Sequence, residues 1–199
     1  MFGYTFGLMV HPRQTWEKMA GLSDEQIKRL LPYPIVMALL PALGFYIGTT
    51  KTGWTVVGED VIRITEASAI PLVVLSYLAL LGAVVFIGLM VNWMSKTYQV
   101  RSFPIKGIVL MGYACTPIFL AGMLAAYPIW WLDILAGTAA AIYVIYLVYM
   151  AVPVLMNVPW DRGFLYASAV FMVALVYVVV VLVGTTIIWE YIATPVFVD

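Results

Sequence analysis

Few residues in this chain carry groups able to react, and the most informative of them fall together. Gly112-Tyr-Ala-Cys-Thr-Pro117 sets two hydroxyls, a thiol and a proline side by side. Pro117 lacks the N–H that a helix would direct to the carbonyl of Tyr113, four residues back. Away from water that carbonyl needs another donor, and Tyr113 and Thr116 bring hydroxyls to the same spot. Gly112 allows a neighbouring backbone to approach beside the kink. The segment reads either as a polar site in a proline-broken helix or as a structural kink alone.

A second set is ionisable. Lys51, Glu66 and Asp133 each stand next to a long apolar run. Asp133 either pairs with Lys51 in a small hydrophilic cluster, which Glu190 joins, or caps the start of a helix. Asn92 and Asn157 read as interhelical hydrogen-bonders or caps. There is one histidine, His11, and one cysteine, Cys115. That excludes a disulfide within the chain and a Cys/His metal cluster. No Ser/His/Asp set converges, HExxH is absent, and no glycine-rich phosphate loop precedes a helix. The expectation is no catalytic residue, no metal and no cofactor.

The elements that position these groups follow from composition. Of 199 residues, 64% are hydrophobic and 10% charged, against about 25% charged in a soluble domain. Net charge is zero, so no bulk field favours nucleic acid. Five stretches free of Asp, Glu, Lys and Arg, at 30–50, 67–95, 107–132, 134–160 and 163–189, are long enough to cross a bilayer core of about 30 Å. Lacking the alternation of a barrel, they must be helices. The expected fold is an all-α membrane protein, a bundle of five transmembrane helices forming one domain over 1–199.

Eight of the ten basic residues fall before the first span or between spans two and three or four and five: Arg13, Lys18, Lys28, Arg29, Lys96, Arg101, Lys106 and Arg162. Only Lys51 and Arg63 fall on the other side, where Glu59, Asp60, Glu66, Asp133, Glu190 and Asp199 gather. The positive-inside rule puts the N-terminus in the cytoplasm and the C-terminus outside. With no basic run ahead of an apolar core, no cleaved signal peptide is expected. Residues 1–29 read as a cytoplasmic or interfacial amphipathic segment. Pro12 opens a short helix with Trp16, Met19 and Ala20 on one face and Gly21 at its end, and Ser23 to Gln26 has capping-box spacing. These helices lie at the interface, pack under the bundle, or do both.

The first span holds Gly44-Phe-Tyr-Ile-Gly48, a GxxxG pattern that licenses close helix contact within the bundle or between protomers. Pro41 frees the carbonyl of Met37 in the same helix.

A Gly-Tyr pair followed three residues on by the Thr-Pro of Thr116-Pro117, in the third of five spans, resembles the signature of the Yip domain family (Ypt/Rab-interacting, YIPF type), in its bacterial inner-membrane branch. His11-Pro12 with Trp16, Gly48 to Trp54, and Tyr127-Pro128 with Trp131 extend the likeness over nearly the whole chain. It implies a five-helix fold, a cytoplasmic N-terminus, and homo-oligomers or complexes with another membrane protein. Eukaryotic relatives bind Rab-type GTPases and carry an acidic Asp-Leu-Tyr-Gly-Pro motif before the first span. Leu31-Pro-Tyr-Pro34 is the nearest segment here and has no acid, so Rab binding is not carried over. Two functions stay open: a non-enzymatic module that engages membrane lipid or protein, and a small transporter or channel subunit for an ion or polar solute.

Overall fold

A computed structural model describes residues 2–55, 61–98, 104–191 and 194–198. Arg101, Glu59, Asp60 and Asp199, used above to orient the chain, lie outside the described residues. Three short helices open the chain: α1 (Phe2–Val10), α2 (Pro12–Ala20) and α3 (Asp24–Lys28). Ser23 closes the capping box of α3, its hydroxyl accepting from the Gln26 N–H while its own N–H donates to the Gln26 side chain. Pro12 opens α2, whose Trp16 and Met19 are buried. Both α1 and α2 pack against the bundle, and α1 is an element the sequence reading did not anticipate.

The first crossing runs through α4 (Pro32–Met37) and α5 (Leu39–Ile47) into a π turn at Gly48–Thr52. It steps at Ala38, next to the Met37 carbonyl that Pro41 leaves without a helical donor. The second crossing, α6 (Glu66–Ser95), is unbroken and capped by the Thr65 side chain. Then come α7 (Pro104–Ala114), α8 (Thr116–Ala121) and a 3₁₀ turn at Gly122–Ala126, bent by 43° as a pair. The last two crossings are α9 (Trp130–Leu155) and α10 (Trp160–Tyr191). Among the described residues four helices are long and apolar enough to cross a membrane, and the bent pair, taken as one span, makes a fifth.

That pair is a crossing and not a re-entrant loop, because its two ends touch opposite ends of the bundle. A Cβ on Gly88, near the end of α6, would lie 2.5 Å from Ile108 at the start of α7. At the other end the Thr52 hydroxyl donates to the Ala126 carbonyl at 2.7 Å, and Lys51 beside it bonds Glu66 at the start of α6. The chain terminus agrees. Strand β1 (Arg63–Ile64), between the first two crossings, pairs antiparallel with β2 (Phe197–Val198), in register Arg63 to Val198. Both ends of that pairing share a face only if an even number of crossings separates them, and α6, α7–α8, α9 and α10 supply four.

Two boundaries differ from the sequence reading. Asp133 does not divide the third and fourth crossings. It sits in the first turn of α9, where a carboxylate suits the positive end of the helix dipole. The break falls instead at Tyr127, which leaves the helical region at φ −127° and ψ 80°, as the residue before a proline disfavours helix. The fourth crossing ends at Leu155, short of the expected 160. Asn157 turns left-handed at φ +52° and Val158 N–H reaches back to the Pro153 carbonyl, a Schellman closure that asparagine tolerates. Asn157 is thus a cap.

Close approach holds the first and third crossings together. A Cβ on Gly44 would stand 2.6 Å from the Gly122 carbonyl, and one on Gly48 would run into the Ala125 carbonyl. The GxxxG face is therefore used inside the bundle. Replacing Gly48 by Val should cost about 1–3 kcal/mol of stability through overpacking, read as a lowered unfolding midpoint in detergent. Gly137→Val, where nothing lies within 4 Å of the added carbon, should leave the midpoint near that of the wild type.

Candidate functional site

Among the described residues the densest buried polar cluster forms where α4 lies beside the α7–α8 break. The two helices run side by side, with Pro34 seated on Gly112, where an added Cβ would meet its ring at 3.0 Å. That contact brings Tyr33 over Tyr113: the rings stack with centroids 3.9 Å apart and planes 4° from parallel. Tyr33, Tyr113, Thr116 and Pro117 are all buried.

The hydrogen bonds settle the polarity of the cluster. Thr116 Oγ1 donates to the Tyr113 carbonyl at 2.6 Å, replacing the N–H that Pro117 lacks. A threonine hydroxyl has one proton, so in its 2.8 Å contact with Tyr33 it accepts, and the Tyr33 hydroxyl donates. Thr5 on α1 in turn donates to the Tyr33 oxygen at 3.0 Å. The result is a directed chain, Thr5 to Tyr33 to Thr116 to the Tyr113 carbonyl, in which each bond polarises the next. Tyr4 of α1 adds an edge-on contact to the Tyr113 ring at 6.2 Å.

A second tyrosine fixes the other end of α1. The four terminal carbonyls of a helix have no partner of their own. Tyr143 of α9 donates to the Leu8 carbonyl at 2.9 Å and also contacts that of Met9 at 3.3 Å. Other tyrosines repeat this use: Tyr166 donates to the Val91 carbonyl and Tyr177 to that of Ala79.

The ionisable residues do not join this cluster. Lys51 and Glu66 form an ion pair at 2.5 Å with both side chains more than half exposed, an arrangement typically worth under about 1 kcal/mol. Of the two readings of Asp133 the helix start is the one realised: Glu66 holds Lys51, and Asp133 lies in the first turn of α9. Glu190 lies exposed in the last turn of α10. Cys115 is half-buried at the kink, and His11 is exposed between α1 and α2. Thr5 and Tyr33 were missed by sequence reasoning. Their only signal was the need of the Tyr113 carbonyl for a donor, which does not say where the donor network ends.

Chemically the arrangement satisfies a broken helix in an apolar surrounding. Thr116→Val should cost about 1–3 kcal/mol, because it removes the buried hydroxyl bond to the Tyr113 carbonyl. Thr116→Ser should retain most of that stability. Unfolding midpoints in mild detergent measure both.

Comparison with known proteins agrees with this architecture. The model of the Yip1 domain matches residues 6–182. The chain is 29% identical to the inner membrane protein YohC of Escherichia coli K12 over 188 residues, covering 94% of this chain and 96% of that protein. The YohC of E. coli O6:H1 strain CFT073 matches to the same extent. No solved structure matches significantly. A model match over nearly the whole chain, on a helical membrane bundle broken at a Gly-Tyr and proline segment, identifies this protein as a member of the Yip1 domain family.

Proposed function

We propose that this protein is a non-enzymatic module of the bacterial inner membrane that engages lipid, a second copy of itself or another membrane protein along exposed helix faces. The observation that carries the reading is α10. Its most apolar window contains no buried residue. Val176, Val180 and Val183 are all more than half exposed along it. A helix so weakly covered by its own chain offers its surface to the surrounding membrane or to another helix.

The kink supports the same reading. The Tyr33 and Thr116 hydroxyls there are buried and spent on one another and on the backbone. That weighs against a solute path through Tyr113 and Thr116, as a transporter would need. The name of the E. coli relative supports an inner-membrane location. The basic residues Arg13, Lys18, Lys28, Arg29, Lys96, Lys106 and Arg162 support a cytoplasmic N-terminus. The strand pairing of the C-terminal segment with Arg63–Ile64 supports a C-terminus on the outer, periplasmic face.

Native mass spectrometry of gently extracted protein tests the proposal. Retained phospholipid or an oligomer is expected. A bare monomer under conditions that keep lipid on a control membrane protein would overturn it.

A further inference from the structure

The interaction reading says that lipid or protein is engaged, and the N-terminal helix suggests where. Helix α1 is apolar from end to end and too short to span. It is tied into the bundle at both ends, by Thr5 on Tyr33 and by Tyr143 on the Leu8 and Met9 carbonyls. Those ties set its depth. Tyr143 follows Trp130, the first residue of α9, by 13 residues, which is about 20 Å at 1.5 Å per residue. In a hydrocarbon core about 30 Å thick that level lies within the cytoplasmic leaflet. The exposed residues Phe2, Phe6 and Val10 recur every four positions and so form one stripe of α1.

Between this helix and α9 runs an open groove of about 710 Å³, a volume within the usual range of small-molecule sites. Met9, Val10 and Pro12 form one wall, and Ala139, Ile142, Tyr143 and Tyr146 the other. The Tyr143 hydroxyl is engaged with the α1 carbonyls, so its ring completes an apolar wall. Depth and an apolar lining describe the acyl region of a phospholipid leaflet.

We propose that this groove seats one acyl chain of a phospholipid from the cytoplasmic leaflet, with α1 as its wall. The inference rests on the interaction reading above and names its site. Ala139 is exposed on the groove wall, so Ala139→Phe fills the groove from outside the packed core. Val176→Phe adds the same bulk to exposed α10 and serves as the control.

The test reconstitutes each full-length variant with phosphatidylethanolamine carrying a diazirine on its acyl chain. After illumination, adducts are mapped by peptide mass spectrometry, alongside native mass spectra. The wild type and Val176→Phe should carry adducts on peptides containing Met9, Val10 or Tyr146 and retain a lipid, and Ala139→Phe should lose both at an unchanged unfolding midpoint. Lipid retained equally by all three proteins, with adducts scattered elsewhere, would overturn the groove and leave the interaction reading standing. A dimer lost only on Ala139→Phe would mean that a second copy fills the groove, and would also overturn the acyl seat. A wild type with neither lipid nor oligomer would sink both.

Discussion

A carbonyl without a donor is the constraint around which this bundle is arranged. Pro117 removes the N–H that the Tyr113 carbonyl would receive, and in an apolar medium such a group costs several kcal/mol if left alone. The Thr116 hydroxyl answers it at 2.6 Å. That hydroxyl, having donated, is left to accept, and Tyr33 is brought 2.8 Å away to supply the proton. The need is thus handed from one helix to the next until it reaches Thr5 on the N-terminal helix. One missing N–H in the third crossing thereby draws in the first crossing and the segment ahead of it.

Packing follows the same lines. Stacking Tyr33 on Tyr113 requires the two backbones to run close and parallel, and small residues permit this at three levels: Gly112 under Pro34, Gly44 against Gly122, and Gly48 against Ala125. Helices α9 and α10 bind this unit mainly through the halves next to the turn that joins them, where Leu147, Val148, Ala151, Tyr166 and Ala167 are buried. Their far halves keep Ile134, Leu135, Val179 and Leu182 exposed. A rigid proline-centred core with loosely covered outer helices suits a protein that meets partners within the membrane.

Much of the architecture was legible because lipid imposes strict rules on sequence. Spans free of charge, the capping box at Ser23, the step near Pro41 and the Thr116 bond to the Tyr113 carbonyl each follow from local bonding. What escaped depends on distant partners or on competing local terms. Tyr33 lies 83 residues from Thr116, and nothing near Thr116 in sequence names it. Asp133 had two readings, and the first turn of α9 is the one the structure takes, because Glu66, which nothing near Asp133 in sequence names, already holds Lys51. Helix α1 gave no span signal because nine residues are too few, and no amphipathic signal because it lacks a polar face.

If the hydroxyl chain is what joins α4 to the broken helix, Tyr33 and Thr116 must be energetically coupled and not merely adjacent. A double-mutant cycle with Tyr33→Phe, Thr116→Val and the double variant, followed by reversible unfolding in detergent, measures that coupling. The account predicts an interaction energy of about 0.5–2 kcal/mol. Strictly additive losses would contradict it and reduce the chain to four neighbours that happen to lie within bonding distance.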